Sequence, residues 1–356
     1  GSSGKTSLKE MLGQSLEKIY RTTYSQKSFN NKYGVPISLF NIKKKDKFGV
    51  FEVGMDKKGE IDYLTKLIKP DIGVITNISE AHLENFKNIR GIARAKGEII
   101  DNIEKDGVIV LNRDDKFFNF LSNIAKKKTV RIISFGYSEK ADIKLKSIRK
   151  KRRSFLIKVS ANKENIIFRT TNNNKNHIQN ILCCVAILKE LNFDLTKVKN
   201  FFKKQLSLKG RGKINKVKKF NKKFFLIDES YNANPHSVES AIENFSNIKK
   251  GDKRKYFLFG DMLELGKNSQ FYHKKISKFI NNSDIDKTFV YGNKSKETFK
   301  FLKVNKKGEI IKDLNSFDLK ISKLLRNGDY LMIKGSNATK VHKVSEKFLR
   351  GTTNAL

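Results

Sequence analysis

The chain opens on Gly1-Ser2-Ser3-Gly4-Lys5-Thr6-Ser7 and steps straight into a pattern in which Leu8, Met11, Leu12, Leu16 and Ile19 recur at helical spacing. No other stretch constrains the fold as tightly. Glycines let backbone N–H groups turn toward phosphate oxygens. A lysine closing the loop reaches the outer phosphates, and the hydroxyl after it suits Mg²⁺. A helix that follows at once presents its positive N-terminus to the same anion. Gly1 to Ser7 therefore read as the tail of a phosphate-binding loop. Gly-Ser-Ser-Gly is also a common cloning remnant, but the uninterrupted step into Lys5-Thr6 and a helix favours the loop. Such a loop ordinarily follows a strand. The expectation is a fragment that lacks this strand and a whole upstream domain.

The 356 residues carry 75 Lys and Arg against 36 Asp and Glu, a net charge of +39. With 38% hydrophobic residues, 27 of the side chains being Phe, the chain has ample apolar surface to bury, which excludes a disordered polycation. No run reaches the roughly 20 apolar residues of a membrane span. The charge invites a nucleic-acid partner through counterion release. An A- and T-biased genome, rich in Lys, Asn, Ile and Phe codons, gives the same profile, and composition does not choose between them. Cys183 and Cys184 are adjacent in an apolar run with no second pair to complete a zinc site. They read as small buried residues in a reducing, cytoplasmic compartment.

Strands at Gly49–Val53, Asp71–Ile78, Gly107–Leu111 and Arg131–Phe135 alternate with helical stretches, among them Ile89–Ile103 and Asn176–Leu191. This predicts an α/β fold with a mainly parallel sheet. Ala141–Arg169 alternates like a β-hairpin that turns at Lys150–Arg153. A boundary near Lys209-Gly210-Arg211-Gly212 divides a central phosphate-loop ATPase domain (1–208) from a Rossmann-like α/β domain (209–356). Strands at Phe224–Asp228, Tyr256–Phe259, Thr288–Tyr291 and Tyr330–Ile333 in the second domain each end on a polar or glycine residue, where open α/β sheets bind ligands.

Glu52 closes an apolar strand, the natural position for a Mg²⁺ carboxylate in a phosphate-loop protein, and equally for an ordinary strand-end Glu. His82 follows the second strand, where a capping or packing role competes with a ligand role. Lys96 falls on the apolar face formed by Ile89, Ile92, Ala93 and Ile100, where snorkelling also accounts for a lysine. Asp228-Glu229-Ser230-Tyr231-Asn232-Ala233-Asn234-Pro235 joins a strand to a helix, and Ser237 is placed to cap that helix. The basic run Arg149–Arg153 reads as a solvated turn.

Taken in order, these strings resemble the Mur ligases of peptidoglycan synthesis. The resemblance rests on the opening loop, Glu52-Val53-Gly54-Met55, Ala81-His82-Leu83-Glu84-Asn85-Phe86, Ile92 to Ile99, Asp228 to Pro235, and Gly260-Asp261-Met262-Leu263-Glu264-Leu265-Gly266. The last two are similar to the strings of the member that joins D-Ala-D-Ala to UDP-MurNAc-tripeptide. The resemblance implies the last two of three domains, in a cytoplasmic monomer without nucleic acid. It implies ATP and Mg²⁺ at two sites. Gly1, Ser2, Ser3, Gly4, Lys5, Thr6 and Ser7 would hold the phosphates. Thr6 and Glu52 would bind one Mg²⁺ and His82 a second. Lys96 would act as a carbamate, and Asn180, Arg211, Asp228, Asn232 and Asn234 would lie near the nucleotide. Lys5, Lys96 and His82 would be catalytic. Asn176 and Asn337 stand where the family often has His and Arg, and Glu229 where it often has Asp. The competing readings are a nucleic-acid-stimulated phosphate-loop ATPase and an inactive ligase remnant. A folylpolyglutamate-type ligase is opposed by the strings at Asp228 and Gly260. A helicase is opposed by the continuation after Asp228-Glu229, and a GTPase by Asn293-Lys294-Ser295-Lys296, which lacks the Asp of a guanine reader.

Overall fold

The computed structural model describes residues 1–161, 164–203 and 208–350. Two compact units emerge: Gly1–Ser79 with Asn85–Leu206, and Glu80–Glu84 with Ser207–Leu356.

The first unit runs α1 (Lys5–Glu17), β1 (Thr22–Tyr24), α2 (Gly34–Phe40), β2 (Phe48–Val50), α3 (Glu60–Ile68), β3 (Ile72–Ile75), α4 (Ile89–Gly97), β4 (Val108–Asn112), α5 (Phe118–Lys127), β5 (Arg131–Gly136), β6 (Ile143–Lys151), β7 (Ser154–Ala161), β8 (Glu164–Thr170) and α6 (Lys175–Glu190). A six-stranded sheet has the order β3-β4-β5-β6-β7-β8, while β1 and β2 form a separate parallel pair. The pairs from β3 to β6 are parallel. All five residues of β4, Val-Ile-Val-Leu-Asn, are buried, as expected where helices cover both faces of a parallel sheet. Leu8, Met11, Leu12 and Leu16 of α1 share one core with Ile178, Ile181, Cys183 and Cys184 of α6. Ile19 lies past the helix end and is exposed, so the helical spacing outruns the helix by a residue or two. Asn88 caps α4 by accepting from the N–H of Gly91, and a 3₁₀ turn at Glu98–Asn102 replaces the expected helical continuation.

The expected hairpin is a three-stranded antiparallel meander, β6-β7-β8. Alternation continues into β8, where Ile166 and Phe168 join the buried Ile157 and Val159 of β7. The basic run is the exposed end of β6 and its turn, with Arg152 at φ 51°.

The second unit contains β9 (Lys213–Lys219), β10 (Lys222–Glu229), α7 (Pro235–Ser246), β11 (Lys255–Gly260), α8 (Ser269–Asn281), β12 (Lys287–Tyr291), α9 (Ser295–Lys300), β13 (Lys307–Ile311), α10 (Leu314–Leu324), β14 (Tyr330–Lys334) and α11 (His342–Leu349). Its sheet has the order β13-β12-β11-β14-β10-β9, with only β9 antiparallel. Sequence reasoning missed both edges, β9 and β13. In Lys-Ile-Asn-Lys-Val-Lys-Lys of β9 only Asn215 and Val217 are buried, and in β13 only Ile311. An edge strand covered on one face carries little apolar signal, and lysines on such an edge discourage pairing with another chain. Among the described residues no helix is long and apolar enough to cross a membrane.

Candidate active site

The opening loop is pinned to the carboxyl end of β3. Ser2 N–H donates to Asn77 O (2.9 Å), and the Ser2 hydroxyl donates to Ser79 O (2.9 Å). Ser3 N–H donates to Asn77 Oδ1 (3.0 Å), and the Thr76 hydroxyl donates to Ser3 O (2.7 Å). Gly4 has φ 80°, a conformation that favours glycine, and a Cβ there would lie 3.4 Å from Asn180 Oδ1. Asn180, expected near the nucleotide, therefore sits on α6 directly behind the loop. Ser7 lies in the first turn of α1.

Lys5 Nζ donates to Gly1 O at 2.8 Å, folding the side chain back over the loop. Thr6 is buried with its hydroxyl 3.3 Å from that of Ser28. Glu52 lies two residues beyond β2 and is only 4% exposed. Its Oε1 accepts from Asn30 Nδ2 at 2.7 Å. Its Oε2 is buried with no hydrogen-bond partner among the described residues. A buried carboxylate oxygen left bare is costly unless something positive occupies it, so this donor set fits a divalent cation. Lys96 is 3% exposed. Burial pushes its amine well below the usual lysine range, and the Lys5 charge adds to the shift. Gly1, Lys5, Glu52 and Lys96 line one groove.

In the second unit the string after β10 is held from within. Asp228 is buried, and its carboxylate accepts from Gly210 N–H (3.0 Å) and the Ser230 hydroxyl (2.5 Å). This ties the 209–212 turn to the strand end. Asn234 caps α7 in a reciprocal box: its Oδ1 accepts from Ser237 N–H (2.8 Å), while its own N–H donates to Ser237 Oγ (3.0 Å). Asn234 is thus the cap and Ser237 its partner three residues on, the reverse of the sequence reading. Asn232 Oδ1 accepts from Ala233 N–H at 2.8 Å, and the Arg211 guanidinium lies 4.1 Å from the Tyr231 ring centre.

His82, at φ 58°, lies in the short segment that groups with the second unit. Its Nδ1 is 2.7 Å from Glu264 Oε2, and this contact is the main reason the Glu264 carboxyl sits below its usual range. Glu84 N–H also donates to Glu264 O at 3.3 Å.

A family model described as the Mur ligase middle domain matches residues 1–188, and one described as the Mur ligase glutamate ligase domain matches residues 214–337. The chain belongs to the Mur ligase family. It is 32% identical over 358 residues to the UDP-N-acetylmuramoyl-tripeptide–D-alanyl-D-alanine ligase of Buchnera aphidicola subsp. Baizongia pistaciae, covering 98% of this chain and 74% of that protein. The Rickettsia prowazekii ligase of the same name is 30% identical, with 98% and 76% covered. The crystal structure of MurF from Acinetobacter baumannii superposes with a TM-score of 0.88 at 27% identity, covering 98% of this chain and 75% of that one.

Sequence reasoning passed over several supports. Asn77 anchors the loop and Asn30 orients Glu52. Lys334 is 2% exposed and donates to Asn232 O at 3.1 Å. Asp261 accepts from Ser295 N–H at 2.7 Å. Lys334 ends the apolar run Tyr-Leu-Met-Ile-Lys, and Asp261 lies in a string already singled out, but neither pairing was legible; Asn30, in the loop before α2, leaves no sequence signal.

Proposed function

We propose that the chain is an ATP-dependent amide ligase that adds D-Ala-D-Ala to UDP-MurNAc-tripeptide, working as a monomer in the cytoplasm. The observation that carries this reading is the groove where a phosphate-type loop meets one half-satisfied carboxylate, Glu52, and one buried lysine, Lys96.

The tripeptide's terminal carboxylate oxygen bonds to the γ-phosphorus of ATP, and ADP leaves. The amine of D-Ala-D-Ala then attacks the carbonyl carbon of the acyl phosphate. The C–O bond breaks, phosphate departs and the nitrogen loses a proton. Both partners in the first step are anions, so the site's task is to neutralise charge. Loop amides and Lys5 Nζ take the phosphate oxygens, with Lys5 giving up its bond to Gly1 O. Thr6 and Glu52 would hold Mg²⁺, which when bound would supply Lewis-acid neutralisation. His82 would be the residue to hold a second Mg²⁺.

Burial favours the neutral Lys96 amine, whose lone pair bonds to the carbon of CO₂ with loss of a proton, turning a cation into a carbamate. Among the described residues no group of three His, Cys, Asp or Glu is placed to hold a metal. A carbamate adds the anionic oxygens that such a site otherwise lacks. Asn180, Arg211, Asp228, Asn232 and Asn234 would serve the nucleotide, and the bond from Gly210 N–H to Asp228 fixes the turn that carries Arg211.

The test measures ADP release with UDP-MurNAc-tripeptide, with and without D-Ala-D-Ala. It uses the chain itself and a fusion carrying the upstream region of the Buchnera relative. Release that depends on D-Ala-D-Ala is expected. Release stimulated by DNA or RNA and indifferent to D-Ala-D-Ala overturns the reading.

A further inference from the structure

The meander β6-β7-β8 has two unlike faces, and its antiparallel register fixes which residues share each one. Arg149, Leu156 and Arg169 stand directly opposite one another across the three strands, and the next row is Ser147, Lys158 and Ile167. Lys151 pairs with Ser154 at the far end of β6. The side-chain period of two puts all of these on one face. The other face carries Ile157, Val159, Ile166 and Phe168, which are buried in the core of the first unit.

On the first face Arg149, Lys151 and Lys158 are exposed, and so is Ile167, at 49%. None of Arg149, Lys151, Lys158 and Arg169 has an ion-pair partner among the described residues. Glu164 is the one carboxylate in the sequence from 143 to 170, and Lys189 holds it at 3.1 Å. Glu139, ahead of β6, is held by Lys144 and Lys146. Arg169 N–H donates to Lys199 O at 3.2 Å, which sets the exposed Lys199 beside β8. The solvent face of the meander is thus a field of uncompensated cations around an exposed aliphatic side chain.

We propose that this face is a docking surface for an anionic lipid bilayer. Its cations attract acidic headgroups, and Ile167 with Leu156 supplies the apolar contact that a lipid surface rewards. A single-stranded nucleic acid fits it less well. Such strands stack their bases on exposed aromatic rings, whereas Phe155 and Phe168, the aromatic residues of the meander, belong to the opposite face. Docking of this kind needs neither nucleotide nor substrate, so its test omits both.

The experiment measures partition of the chain onto vesicles of equal parts phosphatidylcholine and phosphatidylglycerol, at physiological salt, against vesicles of phosphatidylcholine alone. Binding is expected only to the anionic vesicles. The triple variant Arg149→Glu, Lys151→Glu, Lys158→Glu should lower it by at least about 10²-fold. A charge-matched control, Lys216→Glu, Lys218→Glu, Lys223→Glu, alters exposed lysines of β9 and β10 in the second unit and should change it only a few-fold. Ile167→Ser should weaken binding severalfold. Where a triple variant fails to fold, acetylation of the unmodified chain gives the readout: anionic vesicles should shield Lys151 and Lys158 and leave Lys216 and Lys218 reactive. No binding, equal loss from the two triples, equal shielding of the two lysine pairs, or an unchanged affinity in Ile167→Ser overturns the proposal. Tighter binding of single-stranded RNA than of the anionic vesicles, lost in the meander triple, gives the face to nucleic acid and overturns it as well.

Discussion

Lys96 and Lys255 are both buried lysines, at 3% and 0% exposed, and they sit in opposite electrostatic surroundings. Lys255, at the start of β11, donates to Phe245 O (2.6 Å), to Ser246 O (3.0 Å) and to the Asp284 carboxylate (2.7 Å). Every proton of its ammonium has an acceptor, so although burial lowers its pKa, Asp284 opposes that shift, and the side chain ties α7 to the β11 end of the sheet. Lys96, in the first unit, is lowered by burial first and by the Lys5 charge second. A buried lysine that is fully paired is architecture, whereas one set among cations is held close to its neutral, nucleophilic form.

Substitution should separate the two lysines. Lys255→Ala takes the charged donor from Asp284 and from the carbonyls of Phe245 and Ser246. It should cost about 3 kcal/mol, read as a lower urea midpoint, with turnover per folded molecule unchanged. Lys96→Ala should do the opposite: a loss of about 10²-fold in kcat with the midpoint held or slightly raised. If Lys96→Ala unfolds the chain while Lys255→Ala is silent, the assignment of the two lysines is wrong. Removing dissolved CO₂ should lower wild-type turnover and leave the Lys96→Ala chain indifferent.

His177 extends the logic to pH. Burial pushes its pKa down to about 4, and its Nε2 lies 2.9 Å from the Thr170 hydroxyl. The unfolded chain, with an ordinary histidine near 6.5, binds the proton first. Stability is therefore complete above about 6.5 and declines as the pH falls toward 4. His177→Gln should flatten the urea midpoint across that window, and an unchanged slope counts against the assignment. The smallest effect is expected at Asn234. Its loss as a cap through Asn234→Ala should cost about 1 kcal/mol, and any larger fall in ADP release at a matched folded fraction marks contact with the nucleotide.

The loop, the helix behind it, the buried positions of Lys96 and Glu52, and most parallel strands were legible in the sequence. Each leaves a local signature: glycine spacing, a 3.6-residue period or a continuous apolar run. The edge strands β9 and β13 and the third strand of the meander were not, because a strand covered on one face differs little from a polar loop. Nor was the inner bracing of Asp228 and Asn234. The residue types announced a polar turn, but only folding showed that their oxygens are already engaged by Gly210, Ser230 and Ser237. Side-chain type and period, which are local properties, marked Gly1, Lys5, Glu52 and Lys96 before the fold brought them to one groove. Tertiary structure alone decided which of them are satisfied there and which remain bare, since burial, pairing and the bare oxygen of Glu52 depend on neighbours far away in the chain.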